Sequence, residues 1–227
     1  MSLSANLKKI RSQIYAAALS AGREPAAVRL IAVSKTKPAS MVDEAAAAGQ
    51  LLFGENYVQE FTVKAMEVGY PVEWHFIGHL QSNKVKFIAG LVAMIHSVDR
   101  LSLAEEIDRQ WQRIGKVCDI LIQVNVSGEA TKSGTTSAEA EALVRQVALL
   151  PNVRICGLMT MPPFFDDPEE ARPYFHELKL LAEEIESLAI PSASMQELSM
   201  GMSGDFEVAI EEGATLVRIG SALFGSR

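Results

Sequence analysis

From Leu30 onward the chain alternates between two hydrophobic rhythms. Short, nearly continuous apolar runs mark strands buried on both faces; each is followed by a stretch with apolar residues three and four apart, the mark of an amphipathic helix. The strand-like runs are Leu30–Lys35, Leu51–Gly54, Val72–Ile77, Val92–His96, Val117–Val126, Val153–Met159, Glu197–Met200 and Thr215–Ile219. The helical patterns run over Ser40–Ala48, Tyr57–Val68, Asn83–Ala89, Leu101–Arg113, Ser137–Leu150, Asp205–Glu212 and, briefly, Ser221–Phe224. Another reaches Leu188; Asp167 as its cap, Pro168 at its first position and Glu170 in a capping-box pattern predict its start. Ahead of all these, Leu3, Leu7, Ile10, Ile14 and Ala18 lie on one face of a helix that stops at Gly22.

Eight strand–helix units without a linker, low-complexity tract or internal repeat predict one domain, residues 1–227. The fold expected is a (β/α)₈ TIM barrel with an extra N-terminal helix, closing the barrel bottom or lying on its side. A doubly wound open sheet is the other arrangement of such units, but its usual Gly-x-Gly-x-x-Gly after the first strand is absent.

Composition narrows the setting. With 48% hydrophobic and 22% charged residues, the chain reads as an ordinary globular protein with a full core. A net charge of −7 argues against nucleic acid or an anionic membrane as partner, since both need a basic surface. No apolar run has transmembrane length and no signal-peptide core opens the chain. Cys118 and Cys156 each begin a strand-like run and read as small buried residues of a reduced, cytoplasmic protein.

In such barrels the active site lies at the C-terminal ends of the strands. Those ends carry Lys35, Glu55, Asn56, His75, His79, His96, Ser97, Asn125, Thr160, Ser199 and Arg218, a polar ring that predicts a pocket. Lys35 stands out. Partial burial there lowers a lysine's pKa, and a neutral amine attacks a carbonyl to form a Schiff base; the plain alternative is a lysine that snorkels to water. A phosphate commonly sits between the loops after strands seven and eight. Here these read Ser199-Met200-Gly201-Met202-Ser203-Gly204-Asp205 and Arg218-Ile219-Gly220-Ser221, offering glycine, hydroxyls and helix starts. Ser203, Asp205 and Ser221 could instead only cap their helices, and Asp205 would repel a phosphate unless tied to its own helix end. Weaker signals are Gly128–Ser133, which lacks the second glycine of a P-loop, and His75 with His79, at metal spacing but interrupted by Gly78. Pro162-Pro163-Phe164-Phe165 is stiff and apolar, either a cover for the pocket or packing at its rim.

A lysine on strand one and a phosphate cup at the far end of the chain suggest pyridoxal phosphate. The segments Val33–Pro38, Gly54–Glu60, Trp74–Lys84, Gly157–Met161, Leu198–Asp205 and Val217–Ser221 together closely resemble the pyridoxal phosphate homeostasis proteins, relatives of the alanine racemase barrel domain. The resemblance runs from the Lys35 strand to the C-terminus. It implies pyridoxal 5′-phosphate as cofactor, held by Lys35 as an aldimine. It further implies that Ser203, Gly220 and Ser221 take the phosphate, that Met200 and Asn56 lie near the ring, and that Arg218 faces the pyridine nitrogen.

An arginine only donates, so it keeps that nitrogen unprotonated and makes the ring a weaker electron sink. Two main readings follow: a monomeric protein that stores or delivers the cofactor, with apo-enzymes as recipients, or an amino-acid racemase; a cofactor-free lysine aldolase is a distant third. Racemisation needs a second base, which the related racemases take as a tyrosine from a further domain. The expectation is that this chain ends before such a domain, and of Tyr15, Tyr57, Tyr70 and Tyr174 only Tyr57 lies near a strand end. That favours the carrier.

Overall fold

The computed structural model describes residues 2–129 and 132–225. Eight parallel strands close into a barrel in chain order, β1 (Arg29–Val33), β2 (Leu52–Glu55), β3 (Glu73–Phe76), β4 (Met94–Val98), β5 (Cys118–Gln123), β6 (Val153–Met159), β7 (Ala193–Ser199) and β8 (Leu216–Ile219), with β8 paired back onto β1. The helices are α1 (Leu3–Ser20), α2 (Ala39–Ala47), α3 (Val58–Glu67), α4 (Val85–Ile88), α5 (Leu101–Arg113), α6 (Ser137–Val147), α7 (Arg172–Ser187), α8 (Phe206–Glu211) and α9 (Ser221–Phe224). The fold is the expected TIM barrel. No described helix is long and apolar enough to cross a membrane.

Alternation along the strands separates two cores. Outward residues such as Ala32, Phe53, Trp74, Phe76, Ile95, Ile120, Leu158 and Val217 join the apolar stripes of the helices in one large cluster. Inward residues Ile31, Met94, Leu121, Met159 and Leu216 form a second, smaller cluster inside the barrel. Polar residues His75, His96, Ser199 and Arg218 share this interior, a departure from the branched apolar layers that usually fill such barrels.

The N-terminal helix lies on the side. Ser2 caps α1 by accepting from the Ala5 N–H, and its buried stripe Leu3, Leu7, Ile10, Ile14 and Ala17 packs on α8, α9 and α2. Asn6 donates to the Leu223 carbonyl and Arg23 to that of Ile210, which fixes the tilt of α1.

Several boundaries shift. The fourth strand starts at Met94 and runs through His96 to Val98; the seventh starts earlier, at Ala193. Asp167 does accept from a backbone N–H, that of Glu169, but it caps a 3₁₀ turn over Pro168–Ala171; α7 begins only at Arg172, with Pro173 in its first turn. Pro168 and Pro173, five residues apart, account for this, since each favours a helix's first turn and lacks an N–H to continue a preceding one.

Candidate functional site

A cavity of about 360 Å³ opens at the C-terminal end of the barrel. Its walls bring together Lys35 and Thr36 after β1, Asn56 after β2, the Met202–Asp205 loop after β7, Arg218 at the end of β8, and Gly220 and Ser221 after it. Met161, Phe164 and Phe165 form its apolar rim; Phe165 stacks on Tyr174 with ring centroids 5.8 Å apart, while Phe164 is exposed. Of the predicted cofactor residues, Lys35, Asn56, Ser203, Arg218, Gly220 and Ser221 all line this cavity. Met200 does not: Ser199 points inward, so the next residue points outward, and Met200 is fully buried in the outer core.

Lys35 sits just beyond β1, in a turn closed by the Lys37 N–H donating to the Ser34 carbonyl at 3.0 Å. Thr36 in that turn has φ 64°, a left-handed conformation unusual for a β-branched residue. The strain is held by a buried ionic cluster below it. Lys64 Nζ donates to the Ser34 carbonyl (2.7 Å), to Glu55 Oε1 (2.6 Å) and to Glu60 Oε1 (2.6 Å). Ser34 Oγ also donates to Glu55 Oε1, and the Thr36 N–H to Glu60 Oε1. Burial pushes the Glu55 carboxyl above its ordinary range, while its bonds from Lys64 and Ser34 pull it back. Sequence reasoning missed Lys64, yet a signal was present: it falls on the same helical stripe as Val58 and Phe61, where the pattern calls for an apolar side chain.

Gly78 fits the site tightly from the other side. A Cβ there would stand 2.2 Å from the Asn56 carbonyl oxygen, so glycine alone lets the loop after β3 close on Asn56. The Oδ1 of Asn56 is buried without a hydrogen-bond partner among the described residues.

The two C-terminal loops are not simple helix caps. The N-caps of α8 and α9, Asp205 and Gly220, make no side-chain cap bond. Ser203 Oγ instead accepts from the Ala222 N–H at 3.3 Å, tying one loop to the other. Asp205 is tied as the phosphate reading requires, though not to its helix: its Oδ1 accepts from the Met202 N–H at 2.6 Å and staples its own loop. Burial raises the Asp205 carboxyl above its ordinary range, against that bond and the attraction of Arg218. Among the described residues, the N–H groups of Ser203, Gly204 and Gly220 meet no protein acceptor. Gly201, with φ 89°, supplies the bend that leads β7 into this loop.

The remaining strand-end residues do not ring the cavity. Asn125 braces its own loop by donating to the Glu129 carbonyl, and Thr160 donates to the Val124 carbonyl. His79 is exposed, 3.4 Å from Ser133 Oγ, and is not brought together with His75. Ala130 and Thr131 of the Gly128–Ser133 stretch lie outside the described residues. His75, His96 and Ser199 turn into the barrel axis below Arg218. Arg218 is buried at the cavity floor; burial lowers its pKa to about 10, which leaves it a cation at neutral pH.

A closed eight-stranded barrel carrying a lysine after β1 and a paired loop cup after β7 and β8 defines a class of protein, and comparison agrees. Residues 4–227 match the family model described as alanine racemase, N-terminal domain. The chain is 46% identical to a pyridoxal phosphate homeostasis protein of Aquifex aeolicus, covering 97% of this chain and 96% of the relative. It is 48% identical to the protein of that name from Pseudomonas aeruginosa, over 98% and 94%. Among solved structures, PipY of Synechococcus elongatus PCC7942 with PLP bound superposes with a TM-score of 0.87 at 37% identity, covering 99% of this chain and all of PipY. The chain belongs to the pyridoxal phosphate homeostasis protein family, within the alanine racemase N-terminal domain class.

Proposed function

We propose that the cavity binds pyridoxal 5′-phosphate, linked through its aldehyde carbon to Lys35, and that the protein stores and delivers this cofactor in the cytoplasm. Apo-enzymes are the recipients in this reading, and the protein acts as a monomer. The observation that carries it is the convergence, in one cavity, of Lys35 with two glycine- and serine-bearing loops on either side of a buried arginine.

The donor set fits the group. Ser203 and Ser221 offer hydroxyls, and the N–H groups of Ser203, Gly204 and Gly220 have no protein acceptor among the described residues. Arg218 offers a cation that only donates, suited to an unprotonated ring nitrogen. The orphaned Oδ1 of Asn56 offers an acceptor. A cavity of about 360 Å³ lies in the range of small-molecule sites. When bound, the cofactor supplies a reactive aldehyde. The chain's own residues hold its charged end, orient its ring and keep Lys35 in a braced turn. Among the described residues, no tyrosine lines the cavity.

Borohydride reduction of the purified protein followed by peptide mass mapping is the test. A phosphopyridoxyl adduct on Lys35 is the expected result. An adduct on Lys37, which lines the same cavity, or no adduct at all would overturn the reading.

A further inference from the structure

Below the cavity floor the barrel axis carries a continuous polar column where apolar layers are the rule. Arg218 Nη1 donates to Ser199 Oγ at 2.6 Å, and Nη2 to the Thr160 carbonyl at 2.9 Å. Ser199 Oγ lies 2.8 Å from His96 Nδ1, His96 Nε2 lies 2.8 Å from His75 Nδ1, and His75 Nε2 lies 2.9 Å from Glu73 Oε1. Arg218, Ser199 and His96 are buried on β8, β7 and β4; His75 is buried on β3, and Glu73, two residues before it, is half exposed at the N-terminal face. The column therefore crosses the barrel from the cavity on one face to solvent on the other.

The direction of every bond is fixed from both ends. A guanidinium can only donate, so Ser199 Oγ accepts from Arg218 and its own proton is left for His96 Nδ1. His96 Nδ1 must then be a lone pair, which puts that imidazole's proton on Nε2, facing His75 Nδ1. His75 in turn carries its proton on Nε2, facing a carboxylate that can only accept. The reverse direction fails twice. Ser199 would receive two donors with no acceptor for its own proton among the described residues, and a bare His75 nitrogen would face the Glu73 carboxylate.

We infer that Ser199, His96, His75 and Glu73 are positioning residues for Arg218, joined in a one-way chain of hydrogen bonds that fixes the guanidinium at the cavity floor and holds both imidazoles neutral as Nε2–H tautomers. Full burial, with the nearby cation Arg218, pushes the His96 pKa well below its usual value, in keeping with a neutral ring. The orientation of Arg218 toward a ring nitrogen rests on the cofactor reading above; the direction of the chain does not.

Long-range ¹H–¹⁵N correlation on histidine-labelled protein without cofactor tests the direction at pH 7. Both rings should carry the proton on Nε2 with Nδ1 bare. A proton on His96 Nδ1, alone or in an imidazolium, overturns the chain. The positioning role is tested in Ser199→Ala and Ser199→Thr. The Arg218 Nη–H signals should be resolved and slowly exchanging in the parent and broaden away in Ser199→Ala, where affinity for pyridoxal 5′-phosphate should fall about tenfold with a moved visible absorbance band. Ser199→Thr, which keeps the hydroxyl, should restore all three. Native Arg218 signals in Ser199→Ala overturn the positioning role, as does native affinity with an unmoved band. If the parent takes up no cofactor, the cofactor reading falls, and the histidine and arginine signals still decide the chain.

Discussion

Two buried polar networks brace the walls of one cavity, and they solve the burial of charge in opposite ways. Under the Lys35 turn, three ionised side chains meet within hydrogen-bond distance: Lys64 is shared by Glu55, which is fully buried, and Glu60, which is partly exposed. In the barrel axis the charges stand only at the ends, Arg218 and Glu73, and neutral groups fill the space between. Geometry explains the choice. The first site lies between a strand end and α3, so a long lysine can reach in from the helix and meet both carboxylates. Among the described residues the axis is filled by side chains that the strands aim inward, and no helix delivers one. An imidazole suits that place because, uncharged, it both accepts and donates. Where a counter-ion can be delivered, this chain buries ions; where none can, it relays a bond through neutral rings.

The comparison breaks most sharply at Lys64. Lys64→Met leaves Glu55 buried without its cation, and removing one partner of a buried pair costs about 3–5 kcal/mol. Lys64→Met with Glu55→Gln should recover more than half of that loss, because the amide needs no counter-ion. Denaturant titration of the two variants and of Glu55→Gln alone completes a double-mutant cycle. A loss under about 1 kcal/mol in Lys64→Met would mean that the cluster is solvated and not an ionic brace.

Next in size is the cup, which depends on neither network. Replacing Ser203 and Ser221 by alanine removes two hydroxyl donors to a dianion, worth about 1.5–3 kcal/mol each as charged hydrogen bonds. Affinity for pyridoxal 5′-phosphate should drop tenfold or more, while the melting temperature without cofactor changes little. Equal losses with and without cofactor would assign both serines to loop structure alone.

The two networks should also tilt stability oppositely with pH. His96 has a folded pKa below the ordinary 6.5. Below pH 6.5 the unfolded chain therefore takes up a proton that the folded chain refuses, and stability is lost as pH falls. One such proton gives a slope approaching about 1.4 kcal/mol per pH unit. Glu55 acts with the other sign: its folded pKa lies above the ordinary 4.5, so stability rises as pH falls from that raised value toward 4.5. Urea titrations from pH 7 to 5 should show the acid loss in the parent and a flatter profile in His96→Gln. An unchanged slope would mean that His96 is protonated, or exposed, in the folded protein.

The barrel was legible because parallel strands buried on both faces write themselves as short apolar runs, each followed by a helical stripe. Lys35, Asn56, Ser203, Arg218, Gly220 and Ser221 were legible because strand ends and the loops after strands seven and eight are where such barrels keep their chemistry. Alternation hid the rest. From sequence, a polar residue near a strand end reads the same whether it points up into the cavity or down into the axis, so His75, His96 and Ser199 read as part of the pocket. The same alternation turns Met200 outward. Lys64 is easily passed over for another reason: with Glu60 four residues before it, it reads as half of an ordinary surface pair on a helix, although its place on the apolar stripe argues otherwise.

The smallest effect belongs to the far end of the column, and its smallness is informative. Glu73 is half exposed, and its carboxyl is held below the ordinary range chiefly by the bond from His75. Glu73→Gln removes the charge but keeps a carbonyl oxygen that can accept from His75 Nε2–H, so the chain keeps its direction. A half-exposed hydrogen bond from a neutral ring to a carboxylate contributes about 1 kcal/mol, and an amide oxygen in the same place keeps most of it, so the change in stability should stay below that. Both histidines should keep their Nε2–H tautomers in the nitrogen spectra, because Arg218 still dictates the order from the cavity side. A loss of several kcal/mol, or a switch of either tautomer, would show that the column needs a charge at its solvent end. The contrast with the ionic cluster would then dissolve, since both networks would depend on paired charges.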